Sequence, residues 1–226
     1  MIHGTRPNGL LQVALYNNAG VSYLERADSQ NAERCFRAAL QSVQHHVEAD
    51  DAILVEKPPS LPLYSTPMPF LSDDAFYVFD QAWVLSTAVL NDTTATSRQT
   101  IESAAALIVF NLALTFHQLC LLSGDGTMLQ RACKMYSLSA QMASTTLDAT
   151  THAVLDVVSN NNLAHLHWRC QGDHLKAQEL LDGMQTSMAR VVLEEEHCVL
   201  DLEQLDEISI NNVTAQTGPT GTAAAA

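Results

Sequence analysis

The sequence predicts an all-α fold, a short α-solenoid of three antiparallel helical hairpins interrupted by one proline-rich insert. Three observations carry that expectation. Apolar residues recur at helical spacing over most of the 226 residues. The periodic stretches break in pairs, at "ADS" (Ala27 to Ser29), "SGDGT" (Ser123 to Thr127) and "QGD" (Gln171 to Asp173), where glycine, serine and aspartate favour turns and helix caps over helix interiors. Five of the seven prolines crowd between the first two hairpins, and proline removes a helix donor and clashes with the preceding turn.

The elements follow in order. The first hairpin pairs a helix near Asn8 to Arg26 with one near Ser29 to Val47, capped by Asp28. In the insert, residues 49–97, "AILVE" and "FYVFDQAWVL" have the aromatic and β-branched bias of strands and together predict a small β-hairpin. An insert this long is ordered by packing or is functional. The second hairpin pairs Arg98 to Leu122 with Thr127 to Ser144, where "TMLQ" has capping-box spacing. The third pairs Thr151 to Cys170 with Asp173 to about Val192, which closes a repeat domain over residues 1–192. The acidic segment 193–210 is expected to cap the third hairpin with Leu200, Leu202, Leu205 and Ile208 inward, and 211–226, small and polar, reads as a disordered tail.

Composition narrows the function classes. A net charge of -14, with no Lys or Arg from Pro58 to Ser97 or after Arg190, offers no cation cluster for a phosphate backbone, so nucleic acid and anionic membrane are poor partners. The apolar run from Ala104 to Leu122 is interrupted by Asn111, His117 and Gln118 and reads as a buried helix. The N-terminal stretch does not read as a signal peptide, so a cytoplasmic or nuclear location is expected. Five cysteines without close spacing then argue against a disulfide framework.

The hairpins also share a signature. Tyr16, Ala19, Gly20, Tyr23, Ala32 and Phe36 mark the first, Val109, Leu112, Ala113, Phe116, Ala132 and Tyr136 the second, and Leu163, Ala164, His167, Ala177 and Leu181 the third. Small residues let two helices approach while aromatics fill the flanks. From Ala113 to Ala132 is 19 positions against 12 from Gly20 to Ala32, and the surplus is about two helical turns. Asn18, Asn111 and Asn162 precede the small pair in all three units, as "NAG", "NLA" and "NLA". On these residues the chain resembles a divergent tetratricopeptide-repeat protein over roughly Asn8 to Val192. It departs from the pattern in the insert and in the missing terminal proline, whose place Gln44 takes in the first unit.

The resemblance implies a non-enzymatic scaffold or adaptor, in which the first helices of successive units line a concave groove for a partner peptide or helix. On that basis Asn17, Val21, Leu24, Phe110, Leu114, Asn161 and His165 would face the groove. With no Lys or Arg between Arg98 and Arg131, an apolar, basic or helical partner segment fits better than a C-terminal carboxylate. An enzyme with the insert covering a cleft, and a structural protein that self-associates into a homo-oligomer, are the competing readings.

Dedicated chemistry is scarce. "SGDG" lacks the Lys of a phosphate loop, and no nucleophile elbow, HExxH or CxxC occurs, so no catalytic residue and no cofactor is expected. His117 with Cys120, and His167 with Cys170, each at i, i+3, would make a Cys2His2 metal site if their helices packed side by side. They lie one position out of register with the "NLA" anchors, and packing histidines are the ordinary case, so no metal is expected. Asp50-Asp51 and Asp73-Asp74 read as solvated loop acids, and His45-His46 and His197-Cys198 as adjacent residues on different helix faces.

Overall fold

The computed structural model describes residues 9–49, 63–68, 76–87, 98–193, 200 and 202–217. It is mostly helical, with one two-stranded sheet. Helices α1 (Gly9–Leu24) and α2 (Ser29–Ala49) form the first pair, α3 (Arg98–Ser123) and α4 (Gly126–Thr146) the second. Helix α5 (Ala149–Leu166) runs into a π-turn, His167–Gln171, before α6 (His174–Gly183), α7 (Gln185–Leu193) and α8 (Leu202–Thr217). Packing largely follows chain order: α1 on α2, α2 on α3, α3 on α4, α4 on α5, α5 on α6 and α7, and α6 on α8.

The turns form for local reasons. Ala27 takes a left-handed conformation, φ 57°, and Asp28 then caps α2 by accepting from the Asn31 backbone N–H and side chain. These two bonds, the side chain of Asn31 first, hold the Asp28 carboxyl below its usual pKa. Gly124 and Gly172 both sit at φ 66°, which glycine adopts without steric cost. The α4 cap is Asp125, which accepts from Thr127 N–H. The capping box expected at Thr127 is therefore displaced, because the shorter aspartate side chain already satisfies that donor. Asp148 accepts from Thr150 and Thr151 and starts α5 two residues before the expected Thr151.

Gly20 explains a close approach of α1 and α2. A Cβ there would lie 2.6 Å from the Phe36 ring, and Phe36 is itself fully buried. Ala32, Ala113, Ala132, Ala164 and Ala177 are likewise fully buried, with Tyr136 against the second pair. Tyr16 and Ala19, in contrast, are exposed. Helix α3 is long and apolar enough to cross a membrane by composition, and 83% of its apolar window is buried within the protein.

Two expectations are corrected. The second helix of the third hairpin is broken in two at Gly183 and Met184, where a poor helix former meets a buried methionine. Among the described residues the partner of β2, Gln81–Leu85, is β1, Leu63–Pro67, antiparallel in the register Leu63 with Leu85 and Ser65 with Trp83, while the strand expected at "AILVE" lies outside the described residues. The tail boundary also moves, since α8 continues through Thr217 and buries Asn211 and Ala215. Leu200, Leu205 and Ile208 are buried as expected of a cap; the Leu202 side chain lies outside the described residues.

Candidate functional site

Residues 76–85 of the insert lie against four of the seven side chains expected to line the groove. From Phe76 the chain runs without a strand partner to Asp80, whose carbonyl accepts from Met68 N–H, and then becomes β2. Its residues are almost all interior: Phe76, Val78, Phe79, Ala82, Trp83, Val84 and Leu85 are buried. The odd-numbered peptide groups turn away from β1 toward the helices. A backbone N–H or C=O buried there needs a partner, and asparagine, which carries a donor and an acceptor on one planar amide, can serve both groups of one residue.

Four asparagines do this and two more each add a donor to a carbonyl, in two sets. At one end Leu85 donates to Asn18 Oδ1 at 3.0 Å and accepts from Asn18 Nδ2 at 2.7 Å. Trp83 exchanges the same pair of bonds with Asn111, both 2.8 Å, and its carbonyl also accepts from Asn17 at 2.9 Å. Asn111 and Asn17 are joined at 2.9 Å. At the other end Phe79 exchanges two bonds with Asn162, 2.9 and 2.8 Å. Tyr77 exchanges two with Asn211, 2.8 and 2.7 Å, and its carbonyl accepts from Asn161 at 3.1 Å. Asn211 and Asn161 are joined at 2.7 Å. The side chains between the backbone bonds pack among aromatics: Trp83 and Phe79 meet Phe110, which meets Tyr136.

Below the Phe79 clamp lies a buried polar chain. Asn162 donates to Tyr136 Oη at 3.1 Å, Tyr136 faces His117 Nδ1 at 3.1 Å, and His117 Nε2 faces His165 Nδ1 at 2.9 Å. One assignment satisfies this sequence with neutral rings: Tyr136 O–H donates to His117 Nδ1, and His117 Nε2–H donates to His165 Nδ1. Burial, and then the neighbouring His165, push the His117 pKa well below its usual value; burial raises that of Tyr136. His165 in turn lies against Phe76 of the insert, ring centroids 5.4 Å apart.

All seven residues expected to face the groove are buried. Four of them, Asn17, Phe110, Asn161 and His165, touch the insert, while Val21, Leu24 and Leu114 belong to the hydrophobic core. What sequence reasoning missed is that Asn18, Asn111 and Asn162 bind backbone, and that Asn211 joins them. Their recurrence before the small pair was the available signal; it gave no hint of a strand to receive them. His117, Cys120, His167 and Cys170, weighed above as a metal set and set aside, do not come together as four ligands. Cys120 and Cys170 approach to 3.8 Å between sulfurs, but His117 is engaged with Tyr136 and His165. His167 Nδ1 is buried without a partner. Among the described residues no group of three or more metal-binding side chains occurs. Burial, with Cys170 close by, pushes the Cys120 thiol up to about 12, which disfavours the thiolate a metal or an oxidant would need. Asp50-Asp51, Asp73-Asp74 and His197-Cys198 lie outside the described residues.

No protein family, curated protein or solved structure matches the chain.

Proposed function

We propose that this chain is a non-enzymatic scaffold of tetratricopeptide-like helical repeats whose concave face holds an extended polypeptide backbone. The observation that supports the reading most is the set of asparagines from α1, α3, α5 and α8 that bridge the N–H and C=O of Tyr77, Phe79, Trp83 and Leu85. Such bonds recognise main chain, so a groove that makes them accepts an extended peptide of suitable side chains and not a helix, whose backbone groups bond internally. The partner is thus an apolar, extended segment of another protein. The buried histidines have the geometry of a packed network: their nitrogens point at each other and at Tyr136, so they supply structure to the groove wall.

Selection of random peptides displayed on phage against the full-length protein tests this. The expected result is enrichment of peptides that bind in solution and lose affinity when Asn18 is replaced by alanine. If no peptide is enriched, or if enriched peptides bind the Asn18→Ala variant equally well, the reading fails.

A further inference from the structure

The two ends of the ladder are built alike, bond for bond. In each, a neighbouring asparagine pair on one helix, Asn17 and Asn18 on α1 or Asn161 and Asn162 on α5, works with one asparagine from a later helix, Asn111 on α3 or Asn211 on α8. The second member of the pair takes both backbone groups of one residue, Leu85 or Phe79. The later asparagine takes both groups of the residue two earlier, Trp83 or Tyr77, and binds the first member of the pair. That first member adds a second donor to the same carbonyl. Even the contact inside each pair repeats, Asn17 to Asn18 and Asn161 to Asn162.

The occupant repeats with the clamps. Tyr77-Val78-Phe79 and Trp83-Val84-Leu85 are both aromatic, valine, large apolar, and they stand six residues apart. The joining Asp80 is half-buried, and burial raises its carboxyl pKa. From Pro58 to Ser97 the insert carries no Lys or Arg, on a chain of net charge -14. It therefore fits the groove by shape and backbone while adding acid to an acidic protein.

We propose that the groove's partner is an extended peptide of another protein carrying two aromatic-valine-apolar triplets six residues apart with basic flanks, and that residues 77–85 are a built-in copy such a peptide displaces. The inference rests on the scaffold reading above and adds to it the partner's pattern and the regulation. The tethered segment competes at an effective concentration in the millimolar range, so a free peptide must gain something the segment lacks. Basic flanks supply it, through attraction to the acidic surface where the native flanks repel. A second copy of this chain brings the same acidic flanks and has no such advantage.

The test uses the full chain and a labelled peptide of sequence FYVFDQAWVL with two lysines added at each end, followed by fluorescence anisotropy. Trp83→Ala loosens the native segment; Tyr77→Ala, whose side chain is only partly buried, is a milder companion should the first fail to fold by circular dichroism. The expected result is at least ~10-fold tighter binding to a loosened variant than to the parent. Single-triplet peptides should bind roughly 100-fold or more weaker than the double one. N-methylation of the peptide's Phe and Trp amides at positions matching Phe79 and Trp83 should abolish binding, and added salt should weaken it. Failure of the peptide to bind either folded variant overturns the pattern. If phage selection nonetheless yields groove-binding peptides of other sequence, the scaffold reading stands without it. Equal affinity of single and double triplets, or a parent dimer that exchanges the segment between copies, also overturns the assignment.

Discussion

At Gly20 the two sides of a substitution can be weighed. Alanine gains up to about 1 kcal/mol of helix propensity, but its methyl would meet the Phe36 ring at 2.6 Å, and overpacking a core costs about 1–3 kcal/mol. Gly20→Ala should therefore lower stability, read as a reduced urea midpoint at unchanged slope. His117 gives a pH signature. Its folded pKa is depressed by burial, so below about pH 6.5 the unfolded chain binds a proton that the folded chain refuses. The stability tied to neutral His117 is complete above that pH and is lost as pH falls toward the folded pKa. Urea titrations between pH 7.5 and 5 should show this decline, and His117→Gln should flatten it. The Gly20 and Phe36 contact was legible in the sequence because both partners lie within one hairpin. The role of Asn111 was not, since its partner Trp83 belongs to an insert whose path no local pattern fixes.

Helix limits were legible wherever a cap or a turn glycine stood, as at Asp28, Gly124 and Gly172. They failed where polarity was taken for disorder. "NNVTAQT" is polar because Asn211 faces a backbone, and its helix is interior on that side. The strand "LYSTP" was hidden by Pro67 and the prolines around it; Pro67 is tolerated because it faces Gln81 in a pair that exchanges no ladder bonds, next to the Met68 N–H to Asp80 C=O bond. As a structural element α8 both covers α6 and closes the second clamp. Ile208, fully buried, anchors it, and Ile208→Ala should cost about 2–5 kcal/mol, lowering the midpoint of thermal unfolding by roughly 5–15 °C. An unchanged midpoint would show that α8 adds nothing to the stack.

For the whole molecule the question is whether the insert is permanent core or a removable occupant. The stretch from Phe76 to Asp80 is in no helix or strand, so the insert should open below the threshold for global unfolding. Hydrogen exchange tests this: the amides of Tyr77, Phe79, Trp83 and Leu85 should exchange together and faster than those in the centre of α3. Exchange at the same rate as α3 would make the insert inseparable from the fold. The helical pairs were legible from spacing, whereas the burial of the insert depends on contacts that cross 28 to 134 positions of chain.

Those separations also set an order of events during synthesis. Trp83 and Leu85 meet Asn17, Asn18 and Asn111 as soon as α3 has emerged. Tyr77 must wait for Asn211, 134 residues later, which at ordinary translation speeds is roughly 7–27 s. Within that interval the Trp83 half of the insert is held first, once Asn111 has followed, Phe79 next, once Asn162 has followed, and Tyr77 last. A nascent chain stalled before α5 would therefore present an aromatic triplet to chaperones that the finished protein conceals.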